Sequence, residues 1–89
     1  MSHRAKLKWQ CRRGMRELDL ILEGFLAAHY DRLTPAAKVD FEELLAQSND
    51  DLLAWLVGGQ KPANESLALI AAQVRDAGEA TTAPGSSIR

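Results

Sequence analysis

The chain has 89 residues, 46% of them apolar and 26% charged, with a formal net charge of −1 and a single cysteine. This is the composition of one small globular domain and leaves no room for two cores. Cys11 with only two histidines excludes a disulfide framework and a multi-cysteine zinc site, and no apolar run reaches the roughly 18 residues of a membrane span. The charged N-terminus is not followed by the apolar stretch of a signal peptide, so a soluble, reducing compartment is expected.

The near-zero net charge hides a division. Residues 1–16 hold Arg4, Lys6, Lys8, Arg12, Arg13 and Arg16 and no acid, a charge of +6; residues 17–89 hold five basic and twelve acidic residues, a charge of −7. A basic end of this kind suits nucleic acid, a membrane surface or an acidic protein groove, or a solvated end paired with the acidic remainder.

Every periodic segment is helical. Leu7 and Cys11, four apart, predict a short first helix with Trp9 to one side. Met15, Leu18, Leu22 and Phe25, widened by Ile21, form the apolar stripe of a second helix that fades at His29, Tyr30 and Asp31. Thr34-Pro35 predicts a capped start for a third helix carrying Val39, Phe41, Leu44 and Leu45. Ser48 with Asp51 predicts the cap of a fourth, with Leu52, Leu53, Trp55 and Leu56, stopped by Gly58-Gly59. Pro62 opens a fifth, with Leu67, Ile70 and Val74 on one face. With no alternating strand pattern, the expected fold is all-α, a compact bundle of about five short helices in a single domain over residues 1–77, followed by a flexible Thr/Ala/Pro/Gly/Ser tail over 78–89.

No catalytic constellation accompanies this pattern. Cys11 lies beside Arg12 and Arg13, which would lower its pKa, but it has no orienting base; His29 reads as a helix-end residue and Trp55 as core. The carboxylates Glu42, Glu43, Asp50 and Asp51 lack calcium-loop spacing.

The start of the second helix is different. Continued back through Met15, the helix places Arg13, Glu17, Leu20 and Gly24 on its outer side. An Arg N-terminal to a Glu near a helix start is the weaker orientation of an ion pair, and a helical Gly14 costs about 1 kcal/mol relative to alanine. Local stability therefore does not account for Arg13-Gly14-x-x-Glu17. A surface approached by another backbone does: Gly14 gives access, Arg13 a planar fork, Glu17 an acceptor.

The block Trp9-Gln-Cys-Arg-Arg-Gly-Met-Arg-Glu-Leu-Asp19 resembles the signature of the succinate dehydrogenase assembly factors, small flavinylation-promoting proteins. The resemblance continues through His29-Tyr30-Asp31, Leu33, Phe41, Leu44-Leu45, Asp51-Leu52, Trp55-Leu56 and Lys61-Pro62, over roughly residues 6–75. It implies a five-helix all-α fold. It also implies a non-catalytic chaperone that binds the flavoprotein subunit of succinate dehydrogenase or fumarate reductase and promotes covalent attachment of FAD to a histidine there. The implied functional element is Arg13, Gly14 and Glu17, with Trp9, Met15, Arg12 and Lys6 widening the contact; Leu20 is added on helix geometry. No cofactor is expected to bind firmly, FAD acting in the partner. A monomer is expected, without nucleic acid or membrane insertion, in a bacterial cytoplasm. The competing expectation is a small regulatory or nucleic-acid-binding helical protein, antitoxin-like, suggested by the +6 segment and opposed by the −7 of the remainder.

Overall fold

A computed structural model describes residues 2–82, with side chains through Ala77. The elements are α1 (His3–Gln10), α2 (Arg16–Ala28), a single 3-10 turn (Tyr30–Arg32), α3 (Pro35–Leu45), α4 (Asn49–Leu56) and α5 (Glu65–Thr82). No strand occurs among the described residues.

Four of the five helices begin at a side-chain cap, which satisfies one of the amide groups left orphaned in a first turn. Ser2 Oγ accepts from the Ala5 N–H at 3.1 Å, Thr34 Oγ1 from Ala37 at 3.1 Å, Ser48 Oγ from Asp51 at 3.1 Å and Asn64 Oδ1 from Leu67 at 3.0 Å. The predicted starts at Thr34-Pro35 and Ser48 stand. The predicted start at Pro62 moves to Asn64, and Pro62 is instead buried in the connection before α5. At its other end α5 continues through Gly78 to Thr82, beyond the boundary expected at residue 77. The rest of the expected tail, residues 83–89, lies outside the described residues.

Helices of eight to thirteen residues are marginal alone and are held by what they bury. α5 packs against α2, α3 and α4, while α1 lies on α2. The core is built from Leu7 and Cys11 of the α1 end, Leu18, Leu22, Phe25 and Leu26 of α2, and Tyr30 of the 3-10 turn. It is completed by Phe41, Leu44 and Leu45 of α3, Leu52 and Leu56 of α4, and Leu67, Ile70, Ala71 and Val74 of α5. Each fully buried leucine or phenylalanine contributes about 1.5–3 kcal/mol relative to exposure. Trp55 is half-buried against this core, as expected, but Val39 faces solvent at 64% exposure. The core face of α3 is instead the Phe41, Leu44, Leu45 stripe.

The N-terminal end of α1 is tied down by polar contacts. Arg4 Nη1 donates to Asp31 Oδ1 at 2.8 Å and Nη2 to the Leu26 carbonyl at 3.0 Å. The Tyr30 hydroxyl donates to Glu42 Oε2 at 2.9 Å, and His3 Nε2 lies 3.0 Å from the same oxygen. These bonds fix where α1 crosses the molecule, and so where its other end meets α2.

Candidate functional site at the α1–α2 corner

α1 ends at Gln10, with the Cys11 N–H closing onto the Leu7 and Lys8 carbonyls at 3.0 and 3.2 Å. α2 begins only at Arg16. Arg13 and Gly14 are therefore not helical, and the expected helical pairing of Arg13 with Glu17 does not form. The physical reason is Gly14, whose φ is +81°. That left-handed conformation is cheap for glycine and turns the chain before α2 can start. Met15, in extended backbone at the N-cap position, offers no side-chain cap. The Asp19 carboxylate reaches back instead and accepts the Arg13 N–H at 2.6 Å.

The Arg13 side chain also departs from expectation. Its guanidinium was expected to face outward beside Glu17. It turns inward, donating from Nη1 to the carbonyls of Gln10 at 2.9 Å and Leu45 at 3.0 Å. Nη2 donates to the Gln47 carbonyl at 2.7 Å and Nε to Asn49 Oδ1 at 2.8 Å. The corner is thus built from two connections, α1–α2 and α3–α4, joined through one side chain.

The other predicted residues, Met15 apart, remain on the outside. Glu17 is exposed and its side chain makes no hydrogen bond or ion pair among the described residues. Gly14 is exposed, and a Cβ built on it meets nothing within 4 Å, so another backbone has room to approach. Trp9 is 72% and Leu20 65% exposed, large apolar side chains that the fold does not use. Lys6 is exposed on α1, Arg12 is exposed with its Nε 3.9 Å from Glu23 Oε2, and Met15 is half-buried against the core. The corner therefore presents cations, one free carboxylate and exposed apolar surface around a glycine turn.

Cys11 is closed to this surface. It is fully buried, and its pKa is pushed up to about 12, first by burial, then by the nearby Glu23 carboxylate. Arg13 acts in the opposite direction and is outweighed. A thiol held protonated at neutral pH is neither nucleophile nor ligand. Among the described residues no cluster of His, Cys, Asp and Glu is placed to hold a metal ion, and no helix is long and apolar enough to cross a membrane. A groove at the α4–α5 connection, lined by Pro62, Leu69 and Arg75 among others, shares no residue with the corner.

Sequence reasoning missed Asp19 and Asn49 as parts of the site. Asp19 carried a readable signal, an acid in the first turn of a helix whose preceding residue, Met15, is no cap. Asn49 carried none, because it lies 36 residues from Arg13 and reaches it only through the packing of α3.

Comparison with known proteins places this geometry in context. A family model described as "Flavinator of succinate dehydrogenase" matches residues 5–77, which include the whole corner. The chain is 43% identical over 67 residues to the FAD assembly factor SdhE of Legionella pneumophila, covering 75% of this chain and 85% of the relative. It is 41% identical over 68 residues to that of Idiomarina loihiensis, covering 76% of each. It is 40% identical over 67 residues to that of Vibrio cholerae, covering 75% of this chain and 78% of the relative. With a family model over residues 5–77 and relatives 40–43% identical over most of their length, this chain belongs to the family described as flavinator of succinate dehydrogenase.

Proposed function

We propose that this protein is an assembly factor that binds the flavoprotein subunit of succinate dehydrogenase and promotes covalent attachment of its FAD. The observation that carries the reading is the corner itself: an open glycine turn, an unpaired Glu17 and an exposed Trp9, within a chain whose family model spans the fold. A fold with no use for these groups presents them to a partner, and aromatic anchors ringed by charge are what binding surfaces use. Fumarate reductase, which the family resemblance implies beside it, is a second client.

The attachment reaction is the flavin's own chemistry, and this chain supplies no nucleophile or base to it. Its contribution is differential binding. It holds the immature flavoprotein in the conformation where the acceptor histidine and the flavin ring meet, which requires tighter affinity for that state than for others. Glu17 accepts charge-assisted hydrogen bonds from the client, Gly14 lets the client backbone approach, and Trp9, Met15 and Leu20 supply apolar area. Arg12 and Lys6 extend the contact with positive charge, which hastens encounter with an acidic partner surface. FAD stays with the client, and the factor works in the compartment where that subunit folds, the bacterial cytoplasm. The competing nucleic-acid or antitoxin reading is not favoured by the family.

Deleting the gene should abolish most of the covalent flavin fluorescence of the flavoprotein subunit on a denaturing gel. Restoring the wild-type gene should recover it. Undiminished fluorescence in the deletion strain would overturn the proposed function.

A further inference from the structure

We propose that Arg13 is a positioning residue for flavin attachment: its guanidinium clamps the glycine turn to the α3–α4 connection, so that Gly14 and Glu17 are presented in one fixed geometry. The inference rests on the flavinylation reading and deepens it.

A helix leaves its last carbonyls without intrahelical partners. α1 ends at Gln10 and α3 at Leu45, and α3 has no basic residue in its own last turn. Arg13 Nη1 bridges both ends, with the Gln10 carbonyl at 2.9 Å and the Leu45 carbonyl at 3.0 Å. Nη2 and Nε hold Gln47 and Asn49, the residues on either side of the Ser48 cap of α4. Four of the five N–H donors of a guanidinium are thereby occupied inside the molecule. The remaining one cannot make the two parallel bonds by which arginine grips a carboxylate. The backbone of the same residue is also fixed, through its N–H on Asp19 at 2.6 Å.

Arg13 is thus held at both ends immediately before the φ +81° turn of Gly14. Glycine has no conformational preference of its own strong enough to keep that turn. Releasing the guanidinium leaves α1 and α2 packed but lets the connection between them sample other conformations. A client would then have to order the loop on binding, which weakens affinity without removing any direct contact. Lysine cannot substitute, since one ammonium carries its three donors on a single atom and cannot span four acceptors on two connections.

The test uses purified flavoprotein subunit lacking covalent flavin, free FAD and the full chain as wild type, Arg13→Ala, Arg13→Lys, Asn49→Ala and Asn49→Asp. The rate of covalent attachment is read by in-gel flavin fluorescence. Amide hydrogen exchange is read on each variant alone at position 13, whose N–H is held by the Asp19 carboxylate, and at Asp19, whose N–H is held by the Met15 carbonyl. Arg13→Lys, despite keeping the charge, should lose about as much rate as Arg13→Ala, tenfold or more, the scale of a lost charge-assisted bond. Asn49→Ala should lose less, and Asn49→Asp, which keeps the acceptor oxygen, should recover the wild-type rate. Exchange at position 13 and at Asp19 should quicken in the same order while exchange in α5 stays slow. Wild-type rates and exchange in both Arg13→Lys and Asn49→Ala would overturn the proposal. Loss confined to Arg13→Ala would also overturn it, marking a direct charge contact with the client. A wild-type chain that fails to promote attachment overturns the functional reading instead, and the exchange order still decides whether Arg13 holds the turn.

Discussion

Among the described residues two glycines adopt the left-handed conformation, Gly14 at φ +81° and Gly59 at φ +78°, and both have open space where a side chain would begin. What surrounds them differs. The turn at Gly59 ends α4 and closes chiefly on its own backbone: Val57 and Gly58 N–H groups reach the Leu53 carbonyl at 3.0 and 2.8 Å, and Gln60 reaches Ala54 at 2.8 Å, while the one side chain drawn to this helix end, Arg75, makes a longer bond of 3.4 Å to the Trp55 carbonyl. The adjacent Gly58 is required for a different reason, since a Cβ there would lie 2.9 Å from the Ala54 carbonyl oxygen. The turn at Gly14 is held by side chains, Asp19 from α2 and Arg13 gathering carbonyls from two connections. A turn that needs only to stop a helix can close on its own backbone. A turn that must present a surface is fixed by groups brought from elsewhere in the fold. The comparison teaches that a left-handed glycine marks a turn, and that the groups holding it mark a site.

Substitution should separate the two turns. Gly14→Arg is expected to abolish promotion of flavin attachment, because it both fills the approach to the corner and forces a side chain into a left-handed backbone. Gly59→Ala carries a backbone penalty of about 1–2 kcal/mol and should lower the unfolding midpoint, while leaving attachment at the wild-type rate wherever the protein is folded. If Gly59→Ala impaired attachment as severely as Gly14→Arg, the distinction between the turns would fail.

A smaller effect sharpens the corner itself. Glu17→Ala should reduce attachment severalfold and change stability by less than about 0.5 kcal/mol, as expected of an exposed residue without partners. Leu69→Ser, which removes an exposed apolar group on α5 away from the corner, should change neither. Equal losses from both would mean that the client covers more than the corner.

A last effect, absent at neutral pH, concerns the core. Cys11 has its pKa raised from 9.0 to about 12, chiefly by burial, and Tyr30 from 10.0 to about 12, by burial and its hydrogen bond to Glu42. Both folded values lie above the unfolded ones, so the fold favours the protonated forms. Their contribution to stability is complete below about pH 9 and is lost as the pH rises toward 12. The denaturant midpoint should fall across that window, and Cys11→Ala should flatten part of the fall. A slope unchanged by Cys11→Ala would show that burial of the thiol plays no part.

The amino-acid sequence by itself determined the helices and most of the core, for a physical reason. The Leu18, Leu22, Phe25 stripe, the Thr34-Pro35 and Ser48 caps and the Gly58-Gly59 stop all act within a few residues of where they are read. It also singled out Arg13, Gly14 and Glu17 as residues that helix stability does not explain, and their family resemblance led to the function. Only the tertiary structure decided what Arg13 does. Periodicity extends a helix until something breaks it, and the break at Gly14 is sealed by carbonyls of Leu45 and Gln47 and by Asn49, more than thirty residues away. Those acceptors exist only because α3 ends beside α1, and the position of a helix end is set by long-range packing, to which local spacing is blind.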